Sequence, residues 1–157
     1  MTEPKSEDVL ASLRTTCRIV VDLVRSAATP RLKVRPRPGA WSIHEHACHL
    51  AVVQPVMMQR LELTVARESP HIHGYQPSRD EDPDALLKMD LAPTLDRYLA
   101  ERAAMVARLE QLTEAEWHKP ATHDEYAAYS IAIMTRHLAL HDYFHAYRIE
   151  HLILERH

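Results

Sequence analysis

The sequence predicts an all-α fold, and three observations carry that prediction. Apolar residues return every three or four positions through four long stretches. Gly occurs twice and Phe once, while Ala, Leu, Arg and Glu are abundant, which suits helices and is poor in tight turns. Two Ser/Thr-x-x-Glu capping boxes stand where helices would begin. A chain of 157 residues is expected to form a single domain over 1–157, burying roughly two thirds of its unfolded surface.

The elements follow in order. Leu10, Leu13, Cys17, Val20 and Val24 form one stripe of a first helix between Ser6 and Ala27, which Thr29 and Pro30 stop. The stretch PRLKVRPRPGAW, with three prolines and a glycine, cannot be helical and reads as a connection. Ser42 and Glu45 cap a second helix carrying Leu50, Val53, Met57 and Leu61, with Pro55 as an expected kink. From Glu68 to Pro83 the chain reads as a long surface loop containing Pro70, Gly74, Pro77 and the acidic run Asp80 to Asp82. A short turn at Asp84 to Met89 precedes a third helix from Pro93 to Leu112, with Leu95, Leu99, Arg102, Val106 and Leu109 on one side. Thr113 and Glu116 cap a brief helix with Trp117, HKPATHDEYAAY reads as a loop, and Ser130 caps a fourth long helix running to Leu154.

Composition excludes several functions. A net charge of −3 leaves no basic face for phosphate backbones, so no nucleic-acid partner is expected. No apolar run approaches the ~20 residues of a membrane span, and MTEPKSEDVL lacks the order of a secretory signal, so a soluble cytoplasmic protein is expected. Cys17 and Cys48 both fall within helical patterns and read as buried free thiols.

The fourth helix carries the chemistry. Its stripe runs Ile131, Met134, Leu138 and on to Ile149 and Leu152, and the two intervening places are His141 and His145. Rings one turn apart, with Cβ atoms ~6 Å from each other, can converge on one ion. His137 and His141 have the same spacing, so two pairs are open, although Leu138 continues the stripe and turns His137 to its flank. His49 lies near the stripe edge of helix two, where bundle packing would bring it opposite helix four, and His46 lies one turn earlier on the flank. Three imidazoles with an open position describe a catalytic rather than a structural metal site.

PGAWSIHEHACHLA resembles the helix-two signature of the DinB/YfiT-like superfamily, W-S-x-x-E-x-x-x-H-L, matched by Trp41, Ser42, Glu45, His49 and Leu50. RHLALHDYFHAYRIE resembles the last-helix signature, matched by His137, His141, Asp142, His145 and Ile149. The resemblance implies a four-helix bundle, a homodimer, and a divalent ion held by His49, His141 and His145, which settles the choice of pair. Zn or Ni is expected first, Fe or Mn next. Members include transferases and isomerases that use bacillithiol or mycothiol. Gln54 and Pro55 depart from relatives, which often carry an acidic residue and an unbroken helix there.

Such a site can acidify water or bind a thiol as thiolate. The leading expectation is a metal-dependent transferase that activates a low-molecular-weight thiol for attack on a small electrophile. The alternatives are a metal-dependent hydrolase, and a non-catalytic metal-stabilised dimer. A hydrolase requires a cavity carboxylate besides the ligands; Glu45 is the candidate nearest in sequence, although its capping role competes. Arg148, a turn beyond His145, is the first candidate for a polar substrate contact. Asp142 reads as a supporting or surface residue, and Tyr143 and Tyr147 flank the ligands. Arg31, Lys33, Arg35 and Arg37 read as a solvated charged loop, His71, His73, His118 and His123 as solvent-facing loop residues, and Trp41 as core at the entry to helix two.

Overall fold

The computed structural model describes residues 6–74 and 82–155. Four long helices dominate: α1 (Ser6–Ser26), α2 (Ile43–Ala66), α4 (Leu91–Glu110) and α6 (Ile131–Leu154), with short α3 (Ala85–Lys88) and α5 (Glu114–Trp117) between them. α2, α5 and α6 begin on side-chain caps. The Ser42 hydroxyl accepts from the Glu45 amide while the Glu45 carboxylate accepts from the Ser42 amide, and Thr113 and Glu116 repeat the arrangement at α5. Ser130 accepts from the Ile133 amide to open α6. Pro55 lies within α2 on its exposed side, and the helix continues through it. Of the loop read between Glu68 and Pro83, Pro77, Asp80 and Glu81 lie outside the described residues.

The segment read as a loop between α5 and α6 departs from expectation. It holds strands β2 (Pro120–His123) and β3 (Tyr129–Ser130), and a third strand, β1 (His71–Ile72), pairs with β2 in parallel. β2 and β3 form an antiparallel pair, placing Pro120 opposite Ser130 and Ala121 opposite Tyr129. Ala121 and Tyr129 are both buried, so a short apolar face closes one end of the bundle. No helical or strand periodicity can emerge from runs of two to four residues, which is why the sequence hides them.

In space α1 packs chiefly on α6 and α4, and α2 on α4 and α6. α1 and α2 are therefore diagonal partners, as are α4 and α6, while α2 and α4 pack side by side, an arrangement that the long connections permit. The core divides into two apolar clusters. One gathers Leu13, Met57, Leu61, Met105, Met134 and Leu138; the other gathers Val20, Val24, Leu50, Leu95, Tyr98 and Ile149. Between them, at the same level of all four helices, lie Thr16, Gln54, Arg102 and Asp142, each 1% exposed or less.

Arg102 forms a buried ion pair with Asp142, donates from Nε to Gln54 Oε1 at 2.7 Å and from Nη1 to the Leu13 carbonyl at 3.4 Å. Four helices are thus tied by one guanidinium, whose face also covers the Tyr98 ring at 5.3 Å. The departure at Gln54 has its reason here, since its carbonyl satisfies an arginine from α4. Asp142, read as supporting or surface, is fully buried. Removing one member of a buried ion pair leaves an uncompensated charge, so Arg102→Ala is expected to lower stability by about 3–5 kcal/mol. Urea denaturation measures it; a loss below about 1 kcal/mol contradicts this role.

Candidate metal centre

The midpoint of α6 turns a histidine pair inward directly beside the polar layer. His145 is buried and His141 half-buried, and their Nε2 atoms are 3.1 Å apart. From α2, His49 brings its own Nε2 to 3.1 Å from that of His141. All three donor atoms lie within 4.8 Å of one another. Donors about 2.0–2.1 Å from a tetrahedral zinc stand about 3.3 Å apart, so these separations are close to those of a ligand set.

The donor chemistry fits a metal better than it fits hydrogen bonding. A neutral imidazole nitrogen carries either one proton or one lone pair, so His141 Nε2 cannot donate to one neighbour and accept from the other. Nor, among the described residues, does any carboxylate stand within hydrogen-bond reach to stabilise imidazolium rings. Burial, with mutual repulsion among the rings adding to it, holds His49 down to about 4 and His145 down to about 2. The lone pairs of His49 and His145 are therefore free at neutral pH. His49, His141 and His145 would together hold a divalent ion of the class that imidazoles suit.

Neighbouring groups orient these rings. His46, read as a flank residue, is buried and its Nδ1 lies 2.8 Å from His145 Nδ1. With the proton on His145 Nδ1 donated to His46, the lone pair of His145 is left on Nε2, facing the other ligands. Asp142 Oδ1 stands 3.9 Å from His141 Nδ1, and neither atom has another partner among the described residues. That distance exceeds a hydrogen bond, but the negative field favours a proton on Nδ1 and hence the lone pair on Nε2. Trp41, read as core, is half-buried and lies against the cluster, its ring 4.8 Å from that of His49 and 5.9 Å, nearly parallel, from that of His145.

A cavity of about 280 Å³ opens beside His49 and His141, and Val53, Met57, Arg60, Glu125 and His137 help to line it. His137 is thus a cavity residue, its ring 5.5 Å from that of Tyr126. Glu125 and Tyr126 escaped the sequence reading. Their signal is the dense run HDEY at 123–126, just upstream of the ligand helix. His123, read as solvent-facing, sits at the end of β2 and lines the same cavity.

Glu45 lies elsewhere. It is fully buried, and its carboxylate accepts from the Ser42 amide and hydroxyl at 2.8 Å and from Arg35 Nε. The structure thus gives Glu45 its capping role rather than a place in the cavity. Arg35 and Arg31, read as part of a solvated loop, have structural partners: Arg31 donates to the carbonyls of Leu152 and Ile153. Arg37 and Arg148 face an open cleft with Trp41, His46 and Phe144, on another side of the histidines.

Comparison with known proteins agrees with this architecture. A family model of the DinB superfamily matches residues 12–149. YfiT from Bacillus subtilis, described as a probable metal-dependent hydrolase with an unusual four-helix bundle topology, superposes with a TM-score of 0.82 at 18% identity, over 96% of this chain and 91% of YfiT. TT2238, a four-helix bundle protein, superposes with a TM-score of 0.62 at 19% identity, over 92% of this chain and 97% of its own. No curated protein matches the chain. No helix among the described residues is long and apolar enough to cross a membrane.

Two outcomes follow from the geometry. His49→Ala is expected to weaken zinc binding at this cluster by at least the roughly 10–100-fold that loss of an outer-shell partner costs, as measured by competition with a chromophoric chelator. The depressed imidazoles also make the metal-free protein acid-sensitive. As pH falls below their ordinary 6.5 the unfolded chain takes up protons that the folded chain refuses until about 4 at His49. Its urea midpoint should therefore drop across that window; a flat profile would contradict the burial argument.

Proposed function

The chain belongs to the DinB superfamily, and we propose that it is a metal-dependent hydrolase acting on a small ester or amide. The observation that carries this reading is Glu125, a carboxylate outside the ligand set that lines the same cavity as His49 and His141. A divalent ion at the histidines supplies Lewis-acid chemistry, acidifying water toward a pKa of about 7.

The chain's own residues do the rest. Glu125 accepts a proton from the attacking water and returns it to the leaving group. His137, whose affinity for protons is lowered chiefly by burial, is neutral at physiological pH and offers a second acceptor in the cavity. Arg60 at the same wall contributes positive charge toward an oxygen that becomes negative. Val53, Met57 and Leu138 provide an apolar floor, and the cavity's size suits a compact substrate.

A thiol transferase is the second reading, supported by the cleft between Arg37 and Arg148. That cleft reaches His46, which touches His145, and two guanidinium groups would receive the carboxylates of an anionic thiol. Arg148 then serves as the polar substrate contact. We also propose a homodimer. α6 leaves Leu140, Phe144 and Tyr147 exposed at 63%, 58% and 66%, at three- and four-residue spacing on one face, the pattern of a helix that packs on a second copy.

A panel of chromogenic esters and amides, assayed with zinc, with chelator and with added thiols, separates the readings. Hydrolysis abolished by chelator and lowered by roughly 10²-fold in kcat by Glu125→Gln is expected. Turnover only with a thiol, indifferent to Glu125→Gln, would transfer the assignment to the second reading. Phe144→Glu with Tyr147→Glu is expected to halve the mass seen by light scattering; an unchanged mass rejects this face as the interface.

A further inference from the structure

We infer that His71, His73 and Asp124 form a second divalent-cation site, separate from the central histidines, at the outer wall of the cavity. The inference does not depend on the proposed hydrolysis, because it rests on a different set of donors in a different part of the fold.

Backbone pairing builds this site. β1 and β2 run parallel with His71 opposite Thr122 and Ile72 opposite His123. Side chains alternate along a strand, so Ile72 turns into the core while His71 and His73 turn outward. On β2 the same alternation puts Thr122 on the outer side, and Asp124, the first residue past the strand, follows it there. β1 and the residue that follows it thus present two imidazoles, and the residue just past β2 presents a carboxylate to both.

The donor atoms converge. Asp124 Oδ1 lies 2.6 Å from His71 Nε2 and its Oδ2 lies 3.3 Å from His73 Nδ1, and all three groups can offer atoms within 4.8 Å of one another. Without a cation each ring donates to the carboxylate. With one, each ring turns a lone pair inward, and the tautomer this requires at His71 already has a partner: its Nδ1 lies 2.9 Å from Thr122 Oγ1, which accepts the displaced proton's hydrogen bond. The Gly74 amide donates to Asp124 Oδ2 at 3.1 Å and fixes the carboxylate. Two imidazoles and a carboxylate with open positions suit Zn²⁺ and its neighbours in the first transition row.

The site is coupled to the cavity by chain adjacency and by a hydrogen bond. Asp124 sits between His123 and Glu125, both cavity residues, and Arg60 of the cavity donates from Nη2 to the His73 carbonyl at 2.7 Å. A cation clasping β1 to β2 would hold that wall, including Glu125, in place.

The test is zinc titration of the full-length metal-free protein, read by calorimetry and by elemental analysis after desalting. The wild type is expected to take up about two equivalents, the weaker one being lost in His73→Ala and in Asp124→Asn and the tighter one retained. His73 has a side-chain exposure of 81%, so its replacement leaves the fold intact and keeps the result interpretable even where Asp124→Asn does not fold. His49→Ala should retain the weaker equivalent, which separates the two sites. In hydrogen exchange, zinc should slow the amides of Ile72 and Thr122 in the wild type and in His49→Ala, but not in His73→Ala. A single equivalent in the wild type, or a second one that survives both His73→Ala and Asp124→Asn, overturns the inference.

Discussion

The buried guanidinium of Arg102 is the constraint on which the rest of the structure depends. A charge withdrawn from water is tolerable only with its partners in place, and these come from three other helices: Leu13 from α1, Gln54 from α2 and Asp142 from α6. Apolar side chains above and below could slide by a turn at modest cost, since one Leu resembles another. The polar layer cannot. Its satisfaction sets the register of α2 against α6, and that register is what brings His49 level with His141 and His145.

The histidine cluster is therefore an extension of the same layer rather than an addition to it. Asp142 serves on one side as the counter-ion of Arg102 and on the other as the nearest negative group to the His141 Nδ1 atom. A single carboxylate couples fold stability to ligand orientation. His46 has a comparable place on the other flank, where its contact with His145 orients that ring while Trp41 covers the pair. Histidines this buried, and this close to each other, are costly to protonate, which leaves them competent to hold an ion at neutral pH.

The cavity has a different origin. Its inner wall is helical and stiff, made by His49, Val53 and Met57 of α2 with His137, Leu138 and His141 of α6. Its outer wall comes from the β2–β3 connection, carrying His123, Glu125 and Tyr126. A rigid histidine set facing a small, separately supported wall is a division of labour common in binding sites, where loops vary the chemistry over a fixed frame. The three-stranded patch supports that wall by main-chain pairing and by the burial of Ala121, Tyr129 and Ile72. Glu125 stands two residues beyond the end of β2, so its position depends on that pairing.

Much of this was legible in the sequence where a long period or a local signal existed. The stripe through Ile131, Met134, Leu138, Ile149 and Leu152 located α6 and assigned His141 and His145 to its inner face, and Ser42 with Glu45 announced the start of α2. These features are local: a helix repeats every 3.6 residues, and a capping box needs only four. What tertiary structure alone decided were the meetings of residues far apart in the chain. That Asp142 pairs with Arg102, that Gln54 accepts from the same guanidinium, that Glu125 shares a cavity with His49, and that His71 and His73 face Asp124 all depend on which helices pack together and on strand pairs two to four residues long. Such contacts leave no periodic trace, because the free energy that selects them is released only when the distant partner arrives.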